Sequence, residues 1–293
     1  MMKKKPMLAY PVSSKPIDYS KPIFIQPKLD GVRCVIQYNW YECDITKKWM
    51  GDVKAYSRTG KEWKNIDHIL EQLKPFFIKF PNVILDGELY NHDLRDNFEK
   101  IISLVRKTKP TGEDRLEASK LTQFHCYDII DENMKYHDRA LFLVSNLKES
   151  DSIKFLSPIN VDCEERAKLY HQHNLGAGYE GSIVRTNDTY QCKRSHNLRK
   201  FKDFSDAEAT IIGFEEGKGK RVGHLGKFIM RDDEGVEFGC PPGKGYNYKD
   251  MKKLLHRAQW YVDHKARATF TYFERTKKGS YRHPLFKTIR DYE

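Results

Sequence analysis

No Cys-x-x-Cys pair occurs in the 293 residues; the six cysteines, Cys34, Cys43, Cys126, Cys163, Cys192 and Cys240, stand far apart. Such spacing indicates neither a zinc site nor a disulfide framework and fits reduced thiols inside a cell. No apolar run approaches the ~18 residues of a membrane span, and the basic start at residues 1–6 leads into no apolar signal-peptide core. A soluble intracellular protein with no membrane partner is therefore expected. There is no internal repeat and no low-complexity segment, which argues against a repeat array or a disordered chain. His125, His196, His224 and His283 lack mutual ligand spacing and read as structural or surface residues.

What is present is length, aromatic content and positive charge. At 39% hydrophobic and 13% aromatic the chain has the composition of a folded protein, long enough for two domains. A net charge of +11 suggests a polyanionic partner, nucleic acid first, although an unspecialised basic surface gives the same number.

The stretch Gln26-Pro27-Lys28-Leu29-Asp30-Gly31-Val32-Arg33 lies between two apolar runs, Ile23-Phe24-Ile25 and residues 32–38. Asp30-Gly31 is expected to turn a hairpin, leaving Lys28 near a strand end and aimed into a pocket. A lysine so held is a candidate covalent nucleophile if nearby cations or desolvation lower its pKa. The octapeptide alone fits a surface hairpin with a solvated lysine equally well.

Before it, the prolines of residues 1–22 mark an extended lead-in. After it, residues 53–57 alternate like a strand. Ile66, Ile69, Leu70, Leu73 and Phe77 have helical spacing, with Asn65 as the expected cap. Residues 83–85 form a short buried-type strand delivering Asp86-Gly87-Glu88. Helices are expected over 93–106, 137–148 and 163–173, and strands over 124–130 and 179–185. Beyond about residue 203 the texture changes: a strand over 207–214, a basic turn, a hairpin over 226–239, a helix over 248–264 and a strand over 268–274. The expected fold is α+β: a first domain, 1–203, of mostly antiparallel sheets flanked by helices, then a small OB-type barrel, 204–293.

Lys28-Leu29-Asp30-Gly31-Val32-Arg33, Asp86-Gly87-Glu88, Glu180-Gly181-Ser182-Ile183-Val184-Arg185 and Lys200-Phe201-Lys202 follow one another in that order. Each is weak alone, and Lys200 with Lys202 would by itself read as a solvated basic edge strand. The ordered set resembles the motifs of covalent nucleotidyltransferases: ATP-dependent DNA ligases, RNA ligases and mRNA capping enzymes. Residues 200–211, and Arg282-His283-Pro284-Leu285-Phe286-Lys287-Thr288-Ile289-Arg290-Asp291 near the C-terminus, are similar to DNA ligase segments in particular. The short lead before Lys28 resembles the minimal two-domain ligases of viruses and phages. Nothing matches the nicotinamide-recognition domain of NAD-dependent ligases, so ATP is the nucleotide implied.

The resemblance implies the following roles. Lys28 carries AMP, and Lys200 and Lys202 meet the α-phosphate. Glu180, with Asp30 as a second acid, holds Mg²⁺ or Mn²⁺, and Asp30 acts near the 3′-hydroxyl. Glu88 holds the ribose and Tyr127 stacks on adenine. Arg33 meets ribose or nick phosphate, and Arg58 the 5′-phosphate. Arg290 and Asp291 orient pyrophosphate after a swing about residues 203–206. Arg185 fits a structural ion-pair partner as well. The partner implied is nicked duplex DNA, bound by a monomer. The basic turn at 217–226 fits either DNA phosphates or a surface loop. No latch-like insertion is evident, so affinity is expected to lean on the basic surface and fall with salt. An RNA ligase or capping guanylyltransferase would share Lys28, Glu88, Glu180 and the paired lysines; a catalytically dead nucleic-acid binder would show damage among them, and there is none.

Overall fold

The computed structural model describes residues 1–42, 49–202, 205–243, 245–275 and 279–290. Cys43, residues 203–204 of the expected hinge, and Asp291 lie outside them. The chain divides into two units, Met1–Lys202 and Asp203–Glu293.

Two five-stranded sheets form the first unit. One has β1 (Leu8–Pro11), β2 (Ile23–Pro27), β8 (Ile159–Val161), β9 (Ser182–Thr186) and β10 (Arg194–Phe201), in the order β1-β10-β9-β2-β8. The other has β3 (Val32–Glu42), β4 (Trp49–Tyr56), β5 (Ile84–Tyr90), β6 (Gln123–Ile129) and β7 (Ile153–Phe155), in the order β4-β3-β5-β6-β7. Pairing is antiparallel except for β1 with β10 and β6 with β7, so the fold is mixed α+β, with the mostly antiparallel sheets expected.

The expected hairpin at Asp30-Gly31 is not there. β2 pairs with β8 and β9, while β3 pairs with β4 and β5, so residues 28–31 carry the chain from one sheet to the other. Gly31 serves close approach, because a Cβ there would lie 2.5 Å from the Leu89 carbonyl oxygen.

Helices α1 (Asp67–Lys79), α2 (Phe98–Val105), α3 (Gly112–Leu121), α4 (Tyr136–Asn146) and α5 (Glu164–Gly176) flank the sheets. The apolar spacing of α1 buries Ile69, Leu73, Phe76 and Phe77 in one core with Ile36, Val53, Ala55 and Leu85. Asn65 does not cap it; the residue before α1 is Ile66, and the buried Asn65 amide donates instead to Leu104 O (2.9 Å) and Asp114 O (3.3 Å). α3 has charge on every face and was not legible as a helix. It starts from a capping box, Thr111 Oγ1 accepting from Asp114 N (3.2 Å) and Asp114 Oδ2 from Thr111 N (2.9 Å).

In the second unit β11 (Ser205–Glu216), β12 (Leu225–Arg231), β13 (Glu237–Cys240), β14 (Arg267–Tyr272) and β17 (Leu285–Ile289) form an antiparallel sheet in the order β13-β12-β11-β14-β17. A short pair, β15 (Glu274–Arg275) and β16 (Tyr281–Arg282), precedes β17, and helix α6 (Tyr248–Asp263) follows β13. Phe228, Phe238, Phe270, Tyr281 and Phe286 fill its core. The described strands pair as an open sheet, not the closed barrel expected. Among the described residues its ends meet only at a parallel bridge between Pro242 and Phe286, where Phe286 N donates to Pro241 O and Gly243 N to Phe286 O, both 2.9 Å. Pro241 and Pro242 have no N–H to donate, which keeps that seam from becoming a ladder.

Candidate active site

The crossing between the two sheets of the first unit builds the site. Lys28 N donates to Gly181 O (2.9 Å) and Glu180 N to Lys28 O (3.1 Å), so the backbone of the lysine loop is laced to the start of β9. Gly181 has φ +140°, and a Cβ there would collide with the Phe201 carbonyl oxygen. The lacing puts the ammonium of Lys28 on Glu180 Oε2, while Lys202 takes Glu180 Oε1. Glu180 is buried, so this carboxylate lies between two cations with little water to screen them.

Along β10 the side chains alternate. Lys200 and Lys202 line a cavity of about 300 Å³, whereas Phe201 turns away and stacks on His171, ring centroids 3.7 Å apart. The same cavity is lined by Lys28, Arg33, Arg58, Glu88 and Tyr127. With Arg185, eight of the residues named from the sequence therefore share one chamber, and Glu180 reaches it through its two lysines. Asp30 is half-buried in the crossing segment and is not among the lining residues. Arg290 belongs to the second unit, where its Nε donates to Thr269 Oγ1 (2.7 Å) and pairs with Glu208 (2.8 Å).

Glu88 stands opposite Arg33 in the register of β5 and β3. Burial pushes its carboxyl up to about 7 against the pull of Arg33 and Lys28, and Tyr127 Oη donates to it at 3.1 Å. Tyr127 is itself buried, and burial raises its phenol well above the ordinary value. The rim is less deeply set: Arg58, in the turn after β4, is exposed and makes no ion pair among the described residues.

Arg33 lines the cavity with one edge of its guanidinium already engaged. Its Nε and Nη2 grip Asp86 at 2.6 and 2.5 Å, so that edge of the guanidinium is taken before any phosphate arrives. Arg185 is the structural partner foreseen as one option: Nε donates to Gln26 Oε1 (3.0 Å) and Nη1 to Asp128 Oδ2 (2.8 Å). Asp86 enters the sequence reading only within the Asp86-Gly87-Glu88 motif and Asp128 only near a strand end, while Arg139 and Tyr190 go unmarked there; all four are buried. Their signal was there, as an acid inside each of two apolar strand runs must find a charged partner when buried.

Residues 6–202 match the family model of the ATP dependent DNA ligase domain. The chain belongs to the ATP-dependent DNA ligases. The DNA ligase of African swine fever virus (isolate Pretoriuskop Pr4/1996) is 28% identical over 211 residues, 69% of this chain and 46% of the viral one. That of Haemophilus influenzae is 28% identical over 190 residues, covering 62% of this chain and 66% of its own. This ligase-family chain thus spans about half the length of the viral relatives it matches. A solved structure of a Lig E DNA ligase, studied for DNA binding with a minimal scaffold, superposes with a TM-score of 0.75. It is 20% identical and covers 99% of this chain and 100% of its own, a likeness of fold. Among the described residues no helix is long and apolar enough to cross a membrane.

Proposed function

We propose that this ligase-family chain seals nicks in duplex DNA with ATP, through AMP carried on Lys28. The carrying observation is the clamp in which one buried carboxylate, Glu180, holds the ammonium groups of Lys28 and Lys202 at the mouth of a cavity also lined by Lys200, Glu88 and Tyr127.

In the first step the Lys28 nitrogen forms a bond to the α-phosphorus of ATP, the bond to pyrophosphate breaks, and a phosphoramidate remains. Lys28 must shed a proton to attack, and Glu180, already against its Nζ, is placed to accept it. Lys200 and Lys202 neutralise charge growing on the phosphate oxygens. AMP then passes to the 5′-phosphate at a nick, where exposed Arg58 offers a guanidinium fork, and the 3′-hydroxyl displaces AMP to seal the strand. Glu88 takes the ribose hydroxyls and Tyr127 packs against the base.

No group of three His, Cys, Asp or Glu side chains among the described residues could by itself hold a metal ion. One buried carboxylate does fit Mg²⁺ or Mn²⁺, ions that keep several waters and bind through the substrate's phosphates. Glu180, with Asp30 the nearest second acid in the sequence motif, would hold it, and when bound it supplies charge neutralisation at the phosphates.

Residues 1–203 serve as the nucleotidyltransferase domain and 204–293 as an OB-type domain. Support for the latter is the five-stranded order β13-β12-β11-β14-β17, whose two ends approach at the single parallel Pro242–Phe286 bridge, with α6 between β13 and β14. Arg290 and Asp291 orient pyrophosphate in the first step. The partner is nicked double-stranded DNA, met by a monomer whose basic surface makes binding salt-dependent.

The test is covalent labelling with ATP or GTP carrying the label at the α-phosphate, with Mg²⁺ present, beside Lys28→Ala. An acid-labile adduct from ATP alone, absent in the variant and discharged on nicked DNA with a sealed product, is expected. Label from GTP would move the chain to the capping enzymes, discharge only on nicked RNA to the RNA ligases, and no label in folded, unadenylylated protein would sink the covalent mechanism.

A further inference from the structure

We propose that the N-terminal segment is a wall of the nucleotide cavity, and that Tyr190 is the positioning residue that fixes it there; this rests on the ATP reading above. The segment reads from its prolines as a lead-in, yet it is built into the unit. β1 pairs in parallel with β10, the strand carrying Lys200, and Pro11 stands opposite Lys200 itself. Leu8 and Ala9 line the cavity with the three lysines.

What holds this wall is a lock on the preceding residue. Met7 is 1% exposed, and both of its backbone polar groups end on side chains. Its N–H donates to Tyr190 Oη (2.7 Å), and its carbonyl accepts from Arg33 Nη2 (3.2 Å). Tyr190 Oη in turn donates to Asp86 Oδ2 (2.6 Å), the carboxylate that Arg33 also grips. One buried acid therefore anchors the N–H and the C=O of the same residue, each through one side chain. Further along, Leu8 N donates to Lys193 O (3.1 Å) and Arg199 holds the carbonyls of Lys15 and Pro16.

Tyr190 is fully buried and does not line the cavity, so it acts indirectly, through Met7 and through the Asp86–Arg33 pair that its hydroxyl also touches. Its hydroxyl is the acceptor for a buried backbone N–H, and removing it leaves that donor unsatisfied beside the two wall residues. The wall then loosens while the Lys28–Glu180–Lys202 clamp, whose two ion pairs include no residue of the segment, keeps its geometry. Substrate binding should suffer and chemistry should not.

Tyr190→Phe is measured for self-adenylylation kinetics and for amide exchange over residues 6–11, with and without ATP. The KM for ATP should rise about tenfold with kcat held within about twofold, the scale of one unsatisfied buried group. Exchange in the segment should be slowed by ATP in the wild type and quickened by the substitution. A second variant, Ala9→Val, thickens the wall without touching the lock; its KM should rise while apo exchange stays as in the wild type. Labelled enzyme with an unchanged KM in both variants and no effect of ATP on exchange would overturn the proposal and leave the ligase reading standing. Protection of the segment by ATP in a protein that never becomes labelled would support the wall and sink the covalent reading instead.

Discussion

Asp86 and Asp128 face each other in the register of β5 and β6, and both are completely buried. Two carboxylates so close would repel if each lacked its own cation. Asp86 has the Arg33 fork and the Tyr190 hydroxyl; Asp128 has Arg139 at 2.6 and 3.1 Å and Arg185 at 2.8 Å. Arg139 also donates to the carbonyls of Met134 and Asp188. Removing it strips a buried charge of its main partner, so Arg139→Met should cost on the order of 3–5 kcal/mol. Urea unfolding would show this as a lower midpoint at similar slope; a loss under about 1 kcal/mol would mean that Arg185 alone suffices.

Gly181 admits no side chain. Its φ of +140° is strained for any other residue, and a Cβ would strike the Phe201 carbonyl oxygen between the two lysines of β10's end. Gly181→Ala must shift either β9 or residues 201–202, and with them the carboxylate that clamps Lys28. Formation of the lysyl adduct should fall by at least about a hundredfold, as for a displaced catalytic group. Stopped-time labelling at saturating ATP is the measurement, and an unchanged rate would show that the clamp is not needed.

Much of this arrangement was legible because chemistry at fixed spacing survives in one dimension. Lys28, Glu88, Tyr127, Lys200 and Lys202 were all named from motifs, and they meet in one cavity. What misled was locality. Asp30-Gly31 carries a hairpin's composition, but sheet pairing is decided by distant partners, and the two strands it joins belong to different sheets. Asn65 has the composition of a cap and spends its amide on α2 and the start of α3 instead. α3 has no apolar stripe to reveal it, only a capping box. The N-terminal strand hides behind prolines that break helices but tolerate an edge.

Glu88 gives the chain a dependence on pH. Burial raises its folded-state value to about 7 from an ordinary 4.5. Between those values the unfolded chain releases the proton while the folded chain keeps it. Stability from this group is thus complete below 4.5 and declines as pH climbs through 7, by up to about 3 kcal/mol. Glu88→Gln holds no titrating proton and should flatten that decline. Melting curves of both proteins over this window test it: parallel pH profiles would place the titration elsewhere.

Arg290 offers a way to test the proposed reaction step by step. It is half-exposed in the second unit, tied to Thr269 and Glu208, and every residue of the Lys28 clamp belongs to the first. If its task is to orient the pyrophosphate leaving group, it matters only while pyrophosphate is present. Arg290→Ala should then slow self-adenylylation by at least about tenfold, the scale of removing one charge-assisted hydrogen bond from a transition state. The same variant, given a nick already carrying AMP on its 5′-phosphate, should seal it at close to the wild-type rate, because pyrophosphate has left before that step. Rapid-quench assays of the two half-reactions read the split directly. Equal slowing of both would assign Arg290 to DNA binding or to the stability of its own sheet, and a melt of the variant would tell those two apart.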